Sequence, residues 1–338
     1  MNDSKLNTLP KPPSLLKTIV AGFDNITNHI ALILFPIGLD LLIWFTPRLR
    51  LVKIINTFFG DVVQESLLLA PDFQSEEILK SAGELWTLAG ERLNILIALR
   101  SYPVGIPSLM SSILPLDNPV RTPTFIDFDS LVVVFILTII FILIGLILGT
   151  LFFSCVSQAV INNAVNWRQL FKDWPRLSVQ VIFLSLIWLL IFVGLSIPAS
   201  CIATLAALGS LALGQCVFLM FLGFFIWVVF PLLFSPHGIF INRKNAWVSL
   251  KHGVMLTRMT LPTTGLLFLG ILLLVQGSYF LWRIAPEDSW LMFLSIAGHA
   301  FVTTSLLSAS FIYYRDADNW IQNLQNEKIK ENPVNSTQ

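Results

Sequence analysis

The sequence predicts an all-α fold: a polytopic helical membrane protein with six transmembrane helices and a small helical extracytoplasmic insertion between helices one and two. Three observations carry this. Six stretches, Ile26–Phe45, Leu131–Phe153, Val179–Cys201, Cys216–Phe240, Leu261–Trp282 and Trp290–Tyr313, are apolar and about 20 residues or longer, enough for an α-helix to cross roughly 30 Å of hydrocarbon. Apolar residues make up 55% of the chain and charged residues 12%, with a mean hydropathy of +0.76; soluble domains carry about 25% charge. The short connections also alternate in charge along the chain.

The amino-terminal arm, residues 1–25, carries Lys5, Lys11 and Lys17. The first span, 26–45, is longer than a signal-peptide core, and Phe45-Thr46-Pro47-Arg48 offers no small-residue cleavage site, so it is read as a retained helix. Pro36 and Gly38 within it, and Pro198 late in the third span, predict kinks or helix ends. The insertion, 46–130, is too long for a structureless connection. Leu51–Leu69 and Ser75–Leu99 both show helical spacing. In the second, Ile78, Ala82, Leu85, Leu88 and Leu93 share a face, with Glu76, Glu77, Lys80, Glu84 and Glu91 favouring the other. Tyr102–Pro107 breaks the helix, and Ser108–Leu116 is apolar again. The expected result is a helical cap on the outer membrane surface, or a site that grips a partner protein.

The remaining spans form a five-helix membrane domain, 131–313, followed by a tail, 314–338. Ile161-Asn162, Trp167 and Leu170 recur at an offset of 80 as Ile241-Asn242, Trp247 and Leu250. This suggests a parallel repeat of 131–201 and 216–282, with Tyr313-Tyr314-Arg315-Asp316 and Trp320 as the start of a third, truncated copy. The repeated segments Val160–Arg176 and Ile239–Arg258 mix apolar, aromatic and basic residues, as helices in the headgroup layer do. Trp167, Arg168, Lys172, Trp247, Lys251 and Arg258 are candidate interfacial lipid contacts. The plainer reading is a pair of connectors that anchor helix ends through an aromatic belt.

Orientation follows from Lys and Arg. Arg168, Lys172 and Arg176 follow the second span, and Arg243, Lys244, Lys251 and Arg258 follow the fourth. The opposite connections are Ala203–Gly214, which is uncharged, and Arg283–Ser289. The positive-inside rule then places both termini in the cytoplasm, and a long insertion crosses largely regardless of its charge.

Composition and motifs exclude several classes. A net charge of +1 and the lack of a basic stripe argue against a nucleic-acid partner. Cys155, Cys201 and Cys216 are widely spaced, and His29, His237, His252 and His299 are not at ligand spacing. No metal or cofactor is therefore predicted. The chain lacks GxxxxGK[ST], GxGxxG after a strand, HExxH and GxSxG.

What remains is polar groups at membrane depth, which are functional candidates by default. Asp40 is the one acid inside a predicted span. Asp40, Gln276 and His299 would meet if helices one, five and six are neighbours, and an Asp–His pair can relay protons. The structural reading places Asp40 near the outer interface and leaves His299 as a neutral ring bonded to a carbonyl. Gly145 and Gly149 form a GxxxG pattern, a packing face within the fold or between copies of the chain.

The segment Phe230-Pro231-Leu232-Leu233-Phe234 to Thr260, with the helix Asn245-Ala246-Trp247-Val248-Ser249-Leu250-Lys251 and the boundary Tyr314-Arg315-Asp316, resembles the membrane domain of bacterial glycerophosphodiester phosphodiesterases and related multi-span proteins. The resemblance implies a bacterial inner-membrane helical bundle and carries no catalytic residue, because hydrolysis in that family belongs to a separate soluble barrel. The expected role is a non-enzymatic scaffold or partner subunit in a bacterial plasma membrane, with the lipid bilayer and another membrane protein as partners. The alternative is a secondary transporter or permease component using Asp40, Gln276 and His299. A membrane enzyme acting on lipid ranks last, since no acidic or histidine cluster marks one face.

Overall fold

A long apolar run can pair its backbone groups within the segment only as a helix, and this chain folds almost wholly into helices. The computed structural model describes residues 13–58, 73–120 and 123–331. The chain opens with α1 (Leu15–Asn28) and α2 (Leu34–Phe45). The insertion then supplies β1 (Arg48–Arg50), a helical stretch at 52–58, α3 (Phe73–Arg92), α4 (Met110–Ile113) and β2 (Phe125–Asp127). The rest of the bundle is α5 (Leu131–Asn162), α6 (Trp167–Gly209), α7 (Leu211–Val229), α8 (His237–Ile241), α9 (Ala246–Met259), α10 (Leu261–Trp282) and α11 (Leu291–Glu331). Among the described residues five helices are long and apolar enough to cross a membrane, and six if the bent pair Leu15–Asn28 and Ile30–Phe45 counts as one span.

The first span is not the straight rod 26–45. Helix begins at Leu15, ends at Asn28, and resumes after a turn of 92°. Thr18, Gly22 and Ile26, four residues apart, form the buried stripe of α1. They pack on α11 so closely that a Cβ on Gly22 would lie 2.6 Å from that of Ala309. At the break, His29 reaches the carbonyl oxygens of Asn25 (2.9 Å) and of Asn163 (3.1 Å), tying the bend to the end of α5. Pro36 causes no kink. A 3-10 turn, Ile30–Ile33, precedes it, and Pro36 is the third residue of the α-helical part, which continues through it to Phe45.

Helix α11 is the axis of the molecule. Half of its most apolar window is buried, against 11–17% for the other four candidate spans. It runs past Tyr313 to Glu331, so the expected tail is helical as far as it is described and the proposed third repeat contains no turn. The α6–α7 hairpin is the opposite case. No Asp, Glu, Lys or Arg occurs between Arg176 and Arg243. The two helices are joined by Ser210 alone, whose hydroxyl accepts from the Leu213 N–H and caps α7. The expected loop Ala203–Gly214 is helix interrupted at that one residue, and the expected end at Pro198 is replaced by unbroken helix.

The turns after α5 and α8 share a backbone feature that composition could not reveal. Asn163 and Arg243, 80 residues apart in the numbering, both have φ 52, the left-handed conformation that ends a helix. Each is followed by an asparagine (Asn166, Asn245) that begins the next helix, and Arg243 Nη2 pairs with Asp173 of α6 at 3.2 Å, joining the second turn to that helix. Val160–Arg176 is not a separate surface helix; it is divided between α5 and α6.

The insertion is clasped at its ends and plugged into the bundle at its middle. β1 and β2 pair in parallel, Arg50 opposite Asp127, and the Arg50 guanidinium donates to that carboxylate at 2.9 and 3.0 Å. Leu96, Leu99, Val104, Ile106, Leu109, Met110 and Ile113 are all buried in the main core. This segment, not a second copy of the chain, fills the Gly145–Gly149 face. A Cβ on Gly145 would overlap the Leu99 carbonyl, and one on Gly149 would lie 2.8 Å from Gly105 Cα. The insertion is therefore more than a cap on the surface. On α3, Leu85 is 67% and Leu88 57% exposed, so these two residues of its predicted apolar face are uncovered by the chain itself, while Gly90 and Thr87 meet Ile55 and Asn56 of the 52–58 stretch. The Ile78 and Ala82 side chains, and residues 59–69 of the first predicted insertion helix, lie outside the described residues.

Candidate functional site

Burial of a carboxylate in an apolar bundle demands compensating donors, and Asp40 has them. It is fully buried on α2. Its Oδ1 accepts from the Ser108 hydroxyl (2.5 Å) and the Met110 N–H (3.0 Å), and its Oδ2 from the Leu109 N–H (3.0 Å). Ser108 Oγ in turn accepts from the Ser111 N–H at 3.0 Å. These are the orphan donors at the start of α4, so a carboxylate from a distant helix acts as the cap that short helix needs.

The network continues to a residue outside the predicted site. Ser111 Oγ and Ser112 Oγ accept from Arg100 Nη1 at 3.0 and 2.9 Å. Arg100 interacts electrostatically with both Asp40 and His299, and its guanidinium lies 5.7 Å from the Tyr102 ring centroid. His299 is buried, with no hydrogen bond at Nδ1. The charge of Arg100 is thus felt at both Asp40 and His299, while no hydrogen bond joins those two residues among the described residues. Gln276 is exposed on α10. Arg100 escapes sequence reasoning because it sits in a loop that reads as extracytoplasmic, and only the packing of Leu99 and Gly105 on α5 reveals that this loop enters the bundle.

A groove opens beside this centre. It has a volume of about 540 Å³ and is lined by Ile139, Ile142 and Leu143 of α5, Ile182 and Leu186 of α6, and Arg100 and Tyr102 of the insertion. Nearby, Glu287 of the α10–α11 turn holds the insertion in place. Its carboxylate accepts from the Leu116 N–H at 2.7 Å, and its backbone carbonyl from Trp44 Nε1 at 3.2 Å. Arg48 of β1 is 3% exposed with Nε and Nη2 unbonded. Burial holds its pKa below the ordinary arginine value, against the pull of Glu287 and Asp117.

At the other end of the bundle, α8, α9 and α11 bring a second polar cluster together. Asp318 accepts from Asn242 Nδ2 at 2.9 Å and lies 2.8 Å from His252 Nε2. His237 Nε2 lies 2.9 Å from Ser310 Oγ, and the His237 and Tyr314 rings stack at 5.6 Å. Lys244 is held below the usual lysine pKa by burial, with Asp318 opposing. The α11 residues of this cluster are far along the chain from those of α8 and α9, and no sequence spacing links them. The six candidate interfacial residues, Trp167, Arg168, Lys172, Trp247, Lys251 and Arg258, are all exposed, and Lys251 Nζ sits 5.0 Å over the Trp247 ring. Among the described residues no group of three His, Cys, Asp or Glu side chains is placed to hold a metal ion.

No family model, no curated protein and no solved structure matches the chain.

Proposed function

We propose that this chain is a non-enzymatic scaffold or partner subunit of a bacterial plasma membrane, with both termini cytoplasmic and the insertion outside. The observation that carries the reading is the role of Asp40. Its two oxygens accept three hydrogen bonds from the insertion, so the carboxylate that a proton carrier would use fixes a loop to the bundle instead. A rigidly seated insertion that leaves Leu85 and Leu88 of α3 uncovered suits recognition of an apolar face on another protein.

The test is photo-crosslinking in native membranes from residues placed at Leu85 and Leu88. One protein partner captured at both positions, and lost in a variant lacking the Asp40 carboxylate, is the expected result. Adducts to lipid alone would overturn the reading in favour of an interfacial cap.

The transporter alternative draws support from α11, whose buried side presents Ser295, His299, Thr304, Ser305, Ser308 and Ser310. Polar residues facing a bundle interior mark solute or ion routes in many membrane proteins. Proton-driven uptake by reconstituted vesicles that survives Asp40→Asn but is lost in His299→Phe would establish that reading over the scaffold.

A further inference from the structure

Among the described residues Arg100 is the one charged group lining the α5–α6 groove, and its surroundings leave it half satisfied. A guanidinium has five N–H donors and stays protonated. Here Nη1 donates to Ser111 and Ser112, while Nε and Nη2, the forked edge suited to two oxygens, make no hydrogen bond among the described residues. No described carboxylate lies within 4.0 Å of it. The charge of Asp40 is near, but its oxygens are occupied by Ser108, Leu109 and Met110.

The walls are mostly apolar, with Ser185 the one polar residue contributed by α5 or α6. Ile139 is 41%, Leu143 39% and Leu186 52% exposed, so the groove opens sideways along two long apolar helices of the bundle. Its volume of about 540 Å³ falls in the range of roughly 300–1,000 Å³ typical of ligand sites. Leu99, next to Arg100, packs on Gly145, 14 residues into α5 and hence about 21 Å along that helix from its start. A cation lining an apolar trough at that distance along α5 suits a counter-charge attached to a hydrocarbon chain.

We propose that the groove binds one anionic glycerophospholipid. Its phosphate accepts from Nε and Nη2 of Arg100, and one acyl chain lies between α5 and α6 along Ile142 and Leu186. Charge complementarity selects the anionic head, and the trough selects the chain. Phosphatidylcholine carries a quaternary ammonium beside its phosphate, which offsets the attraction of that phosphate to Arg100.

Native mass spectrometry of the purified full chain, titrated with dioleoyl phosphatidylglycerol or dioleoyl phosphatidylcholine, tests the assignment. The expected result is one tightly held phosphatidylglycerol, at least tenfold preferred over phosphatidylcholine. Arg100→Gln should weaken it about tenfold, consistent with loss of a charged hydrogen-bonded contact; Arg100→Lys should recover only part, because an ammonium lacks the fork. Ile142→Trp, which fills the trough and leaves Arg100 in place, should also abolish retention, so the test does not depend on Arg100→Gln folding. Equal retention of the two lipids, or unchanged phosphatidylglycerol binding in Ile142→Trp, would overturn the proposal. Preference for a free fatty acid such as oleate would overturn the phospholipid assignment. None of these outcomes bears on whether α3 recruits a protein partner.

Discussion

At the residue scale, Asp40 illustrates how an ionisable group inside an apolar helix is decided by its partners. The sequence singles it out, since an acid in such a segment is rare, but the same residue serves a proton relay or a helix cap according to what faces it. Here it faces backbone N–H groups. Asp40→Ala leaves those donors buried and unpaired, each costing about 1–3 kcal/mol; the expected outcome is a loss of about 3 kcal/mol or more, read as a lower Tm in detergent. Asp40→Asn keeps the shape but turns one acceptor into a donor against N–H groups, so its Tm should also fall. A relay residue without a structural role would leave Tm unchanged. Asn163, at φ 52, offers a smaller test. Asn163→Ala places a Cβ-bearing residue without a local hydrogen-bonding side chain in the left-handed region, at a cost of about 1 kcal/mol, whereas Asn163→Gly should be neutral or stabilising.

At the element scale, the GxxxG pair is legible in the sequence as a packing face, and what it packs against is not. Gly145 and Gly149 meet the backbone of the insertion at Leu99 and Gly105, a contact between segments that share no periodicity. Gly149→Leu should therefore expel the insertion while leaving α5 helical, because the clash is with backbone and neither side can yield. Limited proteolysis between Ile95 and Ile113 would become fast in that variant and remain slow in the parent protein. Helix boundaries depart from expectation for local reasons. Pro36 and Pro198 predict breaks, yet the first lies in an opening helical turn and the second is carried within α6. The true break, at His29, has no proline or glycine; it arises because α1 packs along α11 while the chain must turn across the end of α5 to enter α2.

At the scale of the whole molecule, positively charged connections and apolar helices divide the chain into two ends. Arg168, Lys172, Arg243 and Lys251 gather at one end, and the clasped insertion at the other. If the proposed orientation holds, an impermeant thiol reagent applied to intact cells will label Lys53→Cys in the insertion and spare Lys172→Cys and Lys244→Cys. Labelling of the latter two only after permeabilisation is the matching control. Reversal of that pattern would place the insertion inside and remove the basis for an external partner at α3.

All-α architecture and the five spans from Leu131 onward were determined by the sequence alone, because hydropathy over about 20 residues is a property of consecutive positions. The exposed basic and aromatic residues at 167–172 and 247–258 were legible for the same reason. Tertiary structure decided what those helices enclose: the entry of Leu96–Ile113 into the core, the capping of α4 by Asp40, the seating of Arg100 against Ser111 and Ser112, the exposure of Gln276, and the meeting of Asn242, His252 and Asp318. Each of these joins residues that are distant in the chain through hydrogen bonds, charge or backbone contact, and such pairings leave no periodic trace in a single sequence.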